Sequence, residues 1–137
     1  MLTKQRTNFF ICISSLILGG ILYILFRENT HIGKLFAQIF PLTILKALLK
    51  PFASNLLCFH LLDFLWGLSL GCGLQTILML KRKRVLLCGL GVFLCGAIWE
   101  SLQFLDVVSG TGDYWDIVSY FLAGALCITF NLKETEK

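Results

Sequence analysis

Four long apolar runs constrain the fold of this chain more than any other feature. The runs are Phe9–Phe26, Leu56–Leu80, Val85–Leu105 and Trp115–Leu132. Each has about 18 residues or more, and a helix of that length crosses the hydrocarbon core of a bilayer. The first run lacks a small-x-small cleavage motif after it, which favours an uncleaved helix over a signal peptide. The sequence therefore predicts an all-α, polytopic membrane protein with four transmembrane helices in a single domain, residues 1–137.

The positions of lysine and arginine predict how these helices are oriented. The net charge of +4 is too small to indicate a nucleic-acid partner. Four spans place both termini on the same side as the basic run Lys81–Arg84, and eight of the 12 basic residues fall on that side. The positive-inside rule then predicts that both termini and this run lie in the cytoplasm.

The segment between the first two runs, residues 30–54, is predicted to lie on the outer side. Its apolar residues recur at helical spacing up to Pro41, and the pattern resumes until Pro51. This spacing predicts two short amphipathic helices. They either lie at the membrane surface or pack over the bundle as a lid.

Small residues inside the runs are predicted to serve packing. The six cysteines all lie in apolar stretches, without a CxxC motif or a histidine at zinc spacing. We therefore expect packing there, not disulfides or a metal site, and the sequence indicates no cofactor. Gly67 and Gly71 form a GxxxG spacing, which favours close helix packing inside the bundle over dimerisation.

Few polar residues lie within or beside the runs, and they converge on the outer side. Asp63 lies about 10 Å and Glu100 about 8 Å from the outer ends of their runs, at the helical rise. A carboxylate near the bilayer centre costs roughly 3 kcal/mol, so such groups pair, become protonated or line a wet cavity. We therefore predict an outward-facing, ligand-binding polar cluster, consisting of Asp63, Glu100, Gln103, Asp113 and Asp116.

A purely structural role is the alternative for each of these residues. Asp113 is placed to cap the fourth helix from the outer turn, residues 106–114, with Asp116 in the first helical turn. Glu100 with Gln103 would join helices, and Asp63 would pair locally with His60, one turn earlier.

The stretches WESLQ, Trp99–Gln103, and GTGDYWDIVSYFLAGA, which begins at Gly110, resemble the VanZ-like family of small membrane proteins. Glu100, Gln103, Asp116 and Gly124 match the family pattern in order, and Asp63 resembles an acidic position of related proteins. The resemblance covers residues 55–131. Tyr120 stands where family members often carry asparagine, and Gly110 and Thr111 stand where they often carry arginine. The resemblance implies a multi-pass protein of the bacterial inner (cytoplasmic) membrane that affects sensitivity to teicoplanin-type glycopeptide antibiotics.

Several function classes follow from these observations. The first is a VanZ-like protein that acts at the outer leaflet on a lipid-linked cell-wall precursor or an amphiphilic drug, with membrane lipid as its surroundings. The second is an intramembrane enzyme, in which paired carboxylates would hold a divalent cation or serve as acid and base. The sequence contains no HExxH motif and no recognisable Ser-His pair that would support it. The third is a structural or assembly subunit whose buried acids join helices. A transporter would need several copies of so short a chain, and the sequence leaves the oligomeric state open.

Overall fold

Four long helices make up most of the described chain. The computed structural model describes residues 2–26, 34, 35, 44, 47, 60–78, 82–108 and 111–132. The helices are α1 (Leu2–Phe26), α2 (Leu61–Leu78), α3 (Arg82–Phe104) and α4 (Tyr114–Leu132). All four are long and apolar enough to cross a membrane, and the described residues contain no β-strand. The prediction of an all-α, four-helix membrane fold is confirmed.

Most of the predicted amphipathic segment, residues 30–54, lies outside the described residues. The described positions within it are Lys34, Leu35, Ile44 and Ala47, which are helical and exposed. The two surface helices therefore stay a prediction. Residues 56–59, at the predicted start of the second span, also lie outside the described part of the chain.

Two helices begin before the apolar runs on which they were predicted. α1 begins at Leu2 instead of Phe9, and α3 begins at Arg82, within the basic run, instead of Val85. Lysine and arginine are good helix formers, and their long side chains can reach the headgroups from within a helix. Hydropathy therefore locates the apolar part of each helix, whereas the backbone hydrogen bonds continue beyond it.

α2 is the central helix of the bundle. It packs against each of the other three helices, while α3 packs along α4. Buried apolar residues such as Leu65, Val85 and Val92 form the contacts between them. Large side chains such as Phe10 and Leu87 are more than half exposed. This outer apolar surface is suited to lipid, which is as apolar as leucine itself.

Glycines allow α3 and α4 to approach until their backbones touch. A Cβ atom built on Gly124 would lie 2.6 Å from the carbonyl oxygen of Gly89. A Cβ atom on Gly89 would lie 2.8 Å from the carbonyl oxygen of Gly124. On α2, Gly67 and Gly71 both face side chains of α4. The predicted GxxxG spacing thus serves packing inside the bundle.

The described cysteines are free thiols, and three of them lie in the core. Cys72, Cys88 and Cys127 are each at most 3% exposed. The sulfur atoms of Cys72 and Cys127 lie 3.8 Å apart, a contact distance across the α2–α4 interface. These side chains fill space between helices as small apolar groups do.

The helices alternate in direction, so each end of the bundle collects a different set of polar residues. We call these ends the acidic end (residues 60–63, 100–104 and 111–116) and the basic end (residues 4–8, 75–78, 82–85 and 131–132). At the basic end, the Lys4 ammonium donates to the carbonyl oxygen of Asn131 at 3.0 Å, which joins the start of α1 to the end of α4. Arg84 donates to the carbonyl oxygen of Leu78 at 2.7 Å. Arg82, Lys83 and Arg84 of the basic run thus lie at the same end of the bundle as the start of the first helix.

Three buried amides join helices at the basic end, and sequence reasoning missed them. Asn8, Gln75 and Asn131 are each at most 1% exposed. Asn8 Nδ2 donates to Asn131 Oδ1 at 3.1 Å, and Asn131 Nδ2 donates to Gln75 Oε1. Asn131 Nδ2 and Gln75 Nε2 also donate to the carbonyl oxygen of Cys127, at 2.8 and 3.3 Å. This amide network connects α1, α2 and α4 where no water competes for the hydrogen bonds.

Candidate functional site

The structure places all five residues of the predicted cluster at the acidic end. Asp63 lies in the first turn of α2, and Glu100 and Gln103 lie near the end of α3. Asp113 immediately precedes α4, and Asp116 lies in its first turn. Because three different helices contribute, the geometry of the cluster depends on how those helices pack.

A tight cap at the end of α3 turns the chain back toward the cluster. The Val107 N–H donates to the carbonyl oxygen of Leu102 at 2.9 Å, and the Asp106 N–H donates to that of Gln103 at 3.1 Å. Asp106 has a φ of 53°. These features define a Schellman cap, with aspartate in the left-handed position that glycine usually occupies. The reversal allows the start of α4 to contact the end of α3.

Glu100 and Asp113 together complete the start of α4. Asp113 Oδ1 accepts a hydrogen bond from the Trp115 N–H at 2.9 Å, which is the bond of an N-cap. The Asp113 N–H donates to Glu100 Oε2 at 3.0 Å. In a capping box, the N–H of the capping residue donates to the side chain of the third helical residue, which here is Asp116. Because Glu100 on α3 accepts this hydrogen bond instead, the carboxylate of Asp116 can bond elsewhere.

Replacing Asp113 with alanine is expected to lower the free energy of unfolding by about 1 kcal/mol, because it removes the N-cap acceptor. Asp113→Asn is the matched control, since asparagine caps a helix as well as aspartate does. Thermal unfolding in detergent or nanodiscs measures the difference. Equal stability of the two variants would show that the cap contributes nothing here.

Asp116 pairs with the histidine at the start of α2. The Nδ1 atom of His60 lies 2.6 Å from Asp116 Oδ1, and both side chains are largely buried, at 17% and 13% exposure. The local His60–Asp63 pair considered from the sequence is replaced by this contact between helices. His60 and Asp63 are three residues apart, which is a spacing of neighbours on one helix face. The His60 side chain is nevertheless directed across the interface to α4.

Asp63 has a different partner, Tyr120 on α4. The Tyr120 hydroxyl donates to Asp63 Oδ1 at 3.2 Å. Its ring lies directly over Gly96, where a Cβ atom would come within 2.2 Å of it. Tyr120 thus joins α4 to the start of α2 through its hydroxyl and packs against α3 through its ring. Tyr120 was absent from the predicted cluster, although it lies four residues after Asp116 on the same helix face.

Gln103 supports Glu100 from within α3. With its amide nitrogen directed at Glu100, Gln103 donates to Glu100 Oε2 at 3.2 Å and its oxygen accepts from the Trp99 indole N–H at 2.9 Å. This orientation satisfies both neighbours, which the reverse orientation does not. Glu100, only 2% exposed, thus accepts bonds from two elements, and this holds its carboxylate in one position.

Three donor atoms at the acidic end lie close enough together to share one ion. One atom each of His60, Asp113 and Asp116 lies within 4.8 Å of the other two. No metal ligands were assigned from the sequence, in which His60 lies more than 50 residues before the two aspartates. Imidazole nitrogen and carboxylate oxygen are ligands that zinc and similar divalent metals accept.

Comparison of the chain with protein-family models, with curated proteins and with solved structures found no match. The resemblance of WESLQ and GTGDYWD to the VanZ-like pattern accordingly stays a prediction from those short stretches.

Proposed function

We propose that the protein is a VanZ-like, multi-pass protein of the bacterial inner membrane that binds the polar part of an amphiphilic molecule at its acidic end. The ligand is a lipid-linked cell-wall precursor or an amphiphilic drug of the teicoplanin type. The observation that carries this proposal is the junction of α2, α3 and α4 around Tyr120. There, carboxylates from three helices collect beside apolar, lipid-facing surfaces.

The chemistry of the junction favours a ligand that has both polar and apolar parts. Carboxylates of Asp63, Asp113 and Asp116 are acceptors for hydroxyl, amide and ammonium groups. Exposed aromatic side chains lie close by, since Tyr114 and Trp115 are 75% and 63% exposed. Aromatic residues of this kind are enriched where a bilayer meets water. A ligand at this depth could place its acyl chain along the helices and its polar group in the cluster.

The orientation of the bundle is part of the proposal. Arg82, Lys83 and Arg84 lie at the start of α3, which is the opposite end from the acidic cluster. The positive-inside rule places such a run in the cytoplasm. The acidic end would then face outward, where precursors are used and where glycopeptide drugs arrive.

A structural or assembly subunit is the second candidate function. It is favoured by the hydrogen bonds within the cluster, because Asp63, Glu100 and Asp116 each bond to another element of the bundle. In this case the acids would serve only to join helices, as buried polar groups in membrane proteins do.

Glu100→Gln and Asp116→Asn distinguish the two functions. Both replacements keep an acceptor oxygen in place, so we expect each variant to stay within about 1 kcal/mol of the parent in unfolding free energy. Under the binding function, both variants lose the teicoplanin tolerance that the parent confers on a sensitive host at matched protein levels. Minimum inhibitory concentrations and quantified membrane extracts measure this.

Asp106→Asn provides the control. Asp106 is an exposed carboxylate near the same end, and asparagine accepts its left-handed backbone conformation. It should retain full tolerance. A parent that leaves drug tolerance and precursor levels unchanged in the host would refute the binding function. Variants that unfold readily, with activity proportional to protein level, would support the structural one.

A further inference from the structure

We infer that His60, Asp113 and Asp116 form a binding site for one divalent transition-metal cation, with Zn²⁺ as the best-fitting ion. The evidence for this site is the geometry of its three donor atoms, and it is independent of the proposed binding of a drug or precursor. Its ligands come from the residue that precedes α2 and from the cap and first turn of α4. The packing of α2 on α4 therefore assembles it.

The distances are compatible with one ion after small side-chain rotations. Ligand atoms at about 2.0–2.2 Å from a tetrahedral zinc lie about 3.4 Å from each other. In the structure the three donors lie within 4.8 Å of one another, and His60 Nδ1 is 2.6 Å from Asp116 Oδ1. The ion would enter between these two atoms and draw Asp113 inward. Asp113 uses Oδ1 for the helix cap, which leaves Oδ2 as the ligand.

The charges at this site favour a cation. Two carboxylates and one imidazole come together, and Asp116 as a whole residue is only 9% exposed. Among the residues that the structure describes, no lysine or arginine forms an ion pair with Asp113 or Asp116. The start of α4 offsets about half of one negative charge. A divalent ion would neutralise the remainder, and such a balance is what buried carboxylates at membrane depth require.

The donor set selects the metal. One nitrogen and two carboxylate oxygens suit zinc and neighbouring transition metals, whereas Ca²⁺ and Mg²⁺ favour oxygen ligands only. Three protein ligands leave a fourth position of a tetrahedral ion open. Because the ion would offset the charge of the two carboxylates, an anionic group such as a phosphate could take the open position.

The test uses the full-length protein in lipid nanodiscs, stripped with a chelator and then supplied with Zn²⁺. We expect one Zn²⁺ per chain by elemental analysis and a rise in the unfolding temperature that chelator reverses. Co²⁺ should give a visible spectrum without a thiolate charge-transfer band, which separates this site from the cysteines. His60→Ala should weaken binding by about 100-fold, because one of three protein ligands is lost.

Asp113→Asn is the second variant, because it keeps the helix cap while it removes a charged ligand, and it should also weaken binding. Asp106→Asn, outside the site, should bind as the parent does. Absence of Zn²⁺ binding by the parent would overturn the inference. So would equal binding by the parent, His60→Ala and Asp113→Asn. Drug tolerance takes no part in these measurements, so the site and the proposed function can fail separately.

Discussion

Replacing Asn131 with alanine is expected to lower the free energy of unfolding by about 2–3 kcal/mol. The change removes three hydrogen bonds, to Asn8, Gln75 and the Cys127 carbonyl. It leaves the amide of Asn8 and the oxygen of Gln75 buried without those bonds, and an unsatisfied buried group costs about 1–3 kcal/mol. Hydrogen bonds between membrane helices average only about 0.6 kcal/mol each. The expected loss of unfolding free energy is therefore smaller than the sum of the penalties for the separate groups.

The double mutant with Asn8→Ala tests whether the amides act as a unit. Asn8 bonds to Asn131 through Nδ2, and its Oδ1 has no hydrogen-bond partner among the described residues. We expect Asn8→Ala alone to have a smaller effect and to add little once Asn131 is already alanine. Thr129→Ala is the control, since its exposed hydroxyl bonds only within α4. Additive effects of the two asparagine replacements would contradict the network.

Gly124→Ala is expected to destabilise the bundle by about 1–3 kcal/mol, because the contact between α3 and α4 leaves no space for a methyl group at this position. Its Cβ atom would lie 2.6 Å from the backbone oxygen of Gly89, and backbone cannot rotate aside as a side chain can. The two helices would have to separate along their whole contact. Denaturant or thermal unfolding of the purified protein in the same detergent measures the loss.

Gly91→Ala is the matched control for this contact. Gly91 lies on α3 two residues from Gly89, and a Cβ atom there meets nothing within 4 Å. Alanine at this position should be neutral or stabilising by up to about 1 kcal/mol, from its higher helix propensity. If Gly124→Ala proved as stable as Gly91→Ala, the close approach of α3 and α4 would be wrong.

The sequence alone was enough to predict at which end of the bundle each polar residue lies, because position along a membrane-spanning helix determines depth in the bilayer. Asp63 near the start of one apolar run and Glu100 near the end of the next must lie toward the same end if both runs span. Asp113 and Asp116, at the start of the last run, follow by the same argument. The cluster at the acidic end was thus predictable as a set of residues.

The partners within that set were not predictable. His60 bonds to Asp116 instead of Asp63, and Asp63 bonds to Tyr120. The functional consequence is large, since only the cross-helix contact of His60 brings an imidazole to Asp113 and Asp116 and so creates a candidate metal site. A spacing of three to four residues identifies neighbours along one helix. It does not show which residue of another helix a side chain contacts.

The helix number, the alternation of helix direction and the gathering of acids at one end follow from the sequence alone, because run length and helical rise set them. Which face of each helix meets its neighbour was decided by the tertiary structure. In water an apolar stripe identifies the buried face, but lipid is as apolar as the core, so these helices are apolar on all sides. Contacts such as Gly89 with Gly124 and Asn8 with Asn131 depend instead on shape and hydrogen bonding between distant residues.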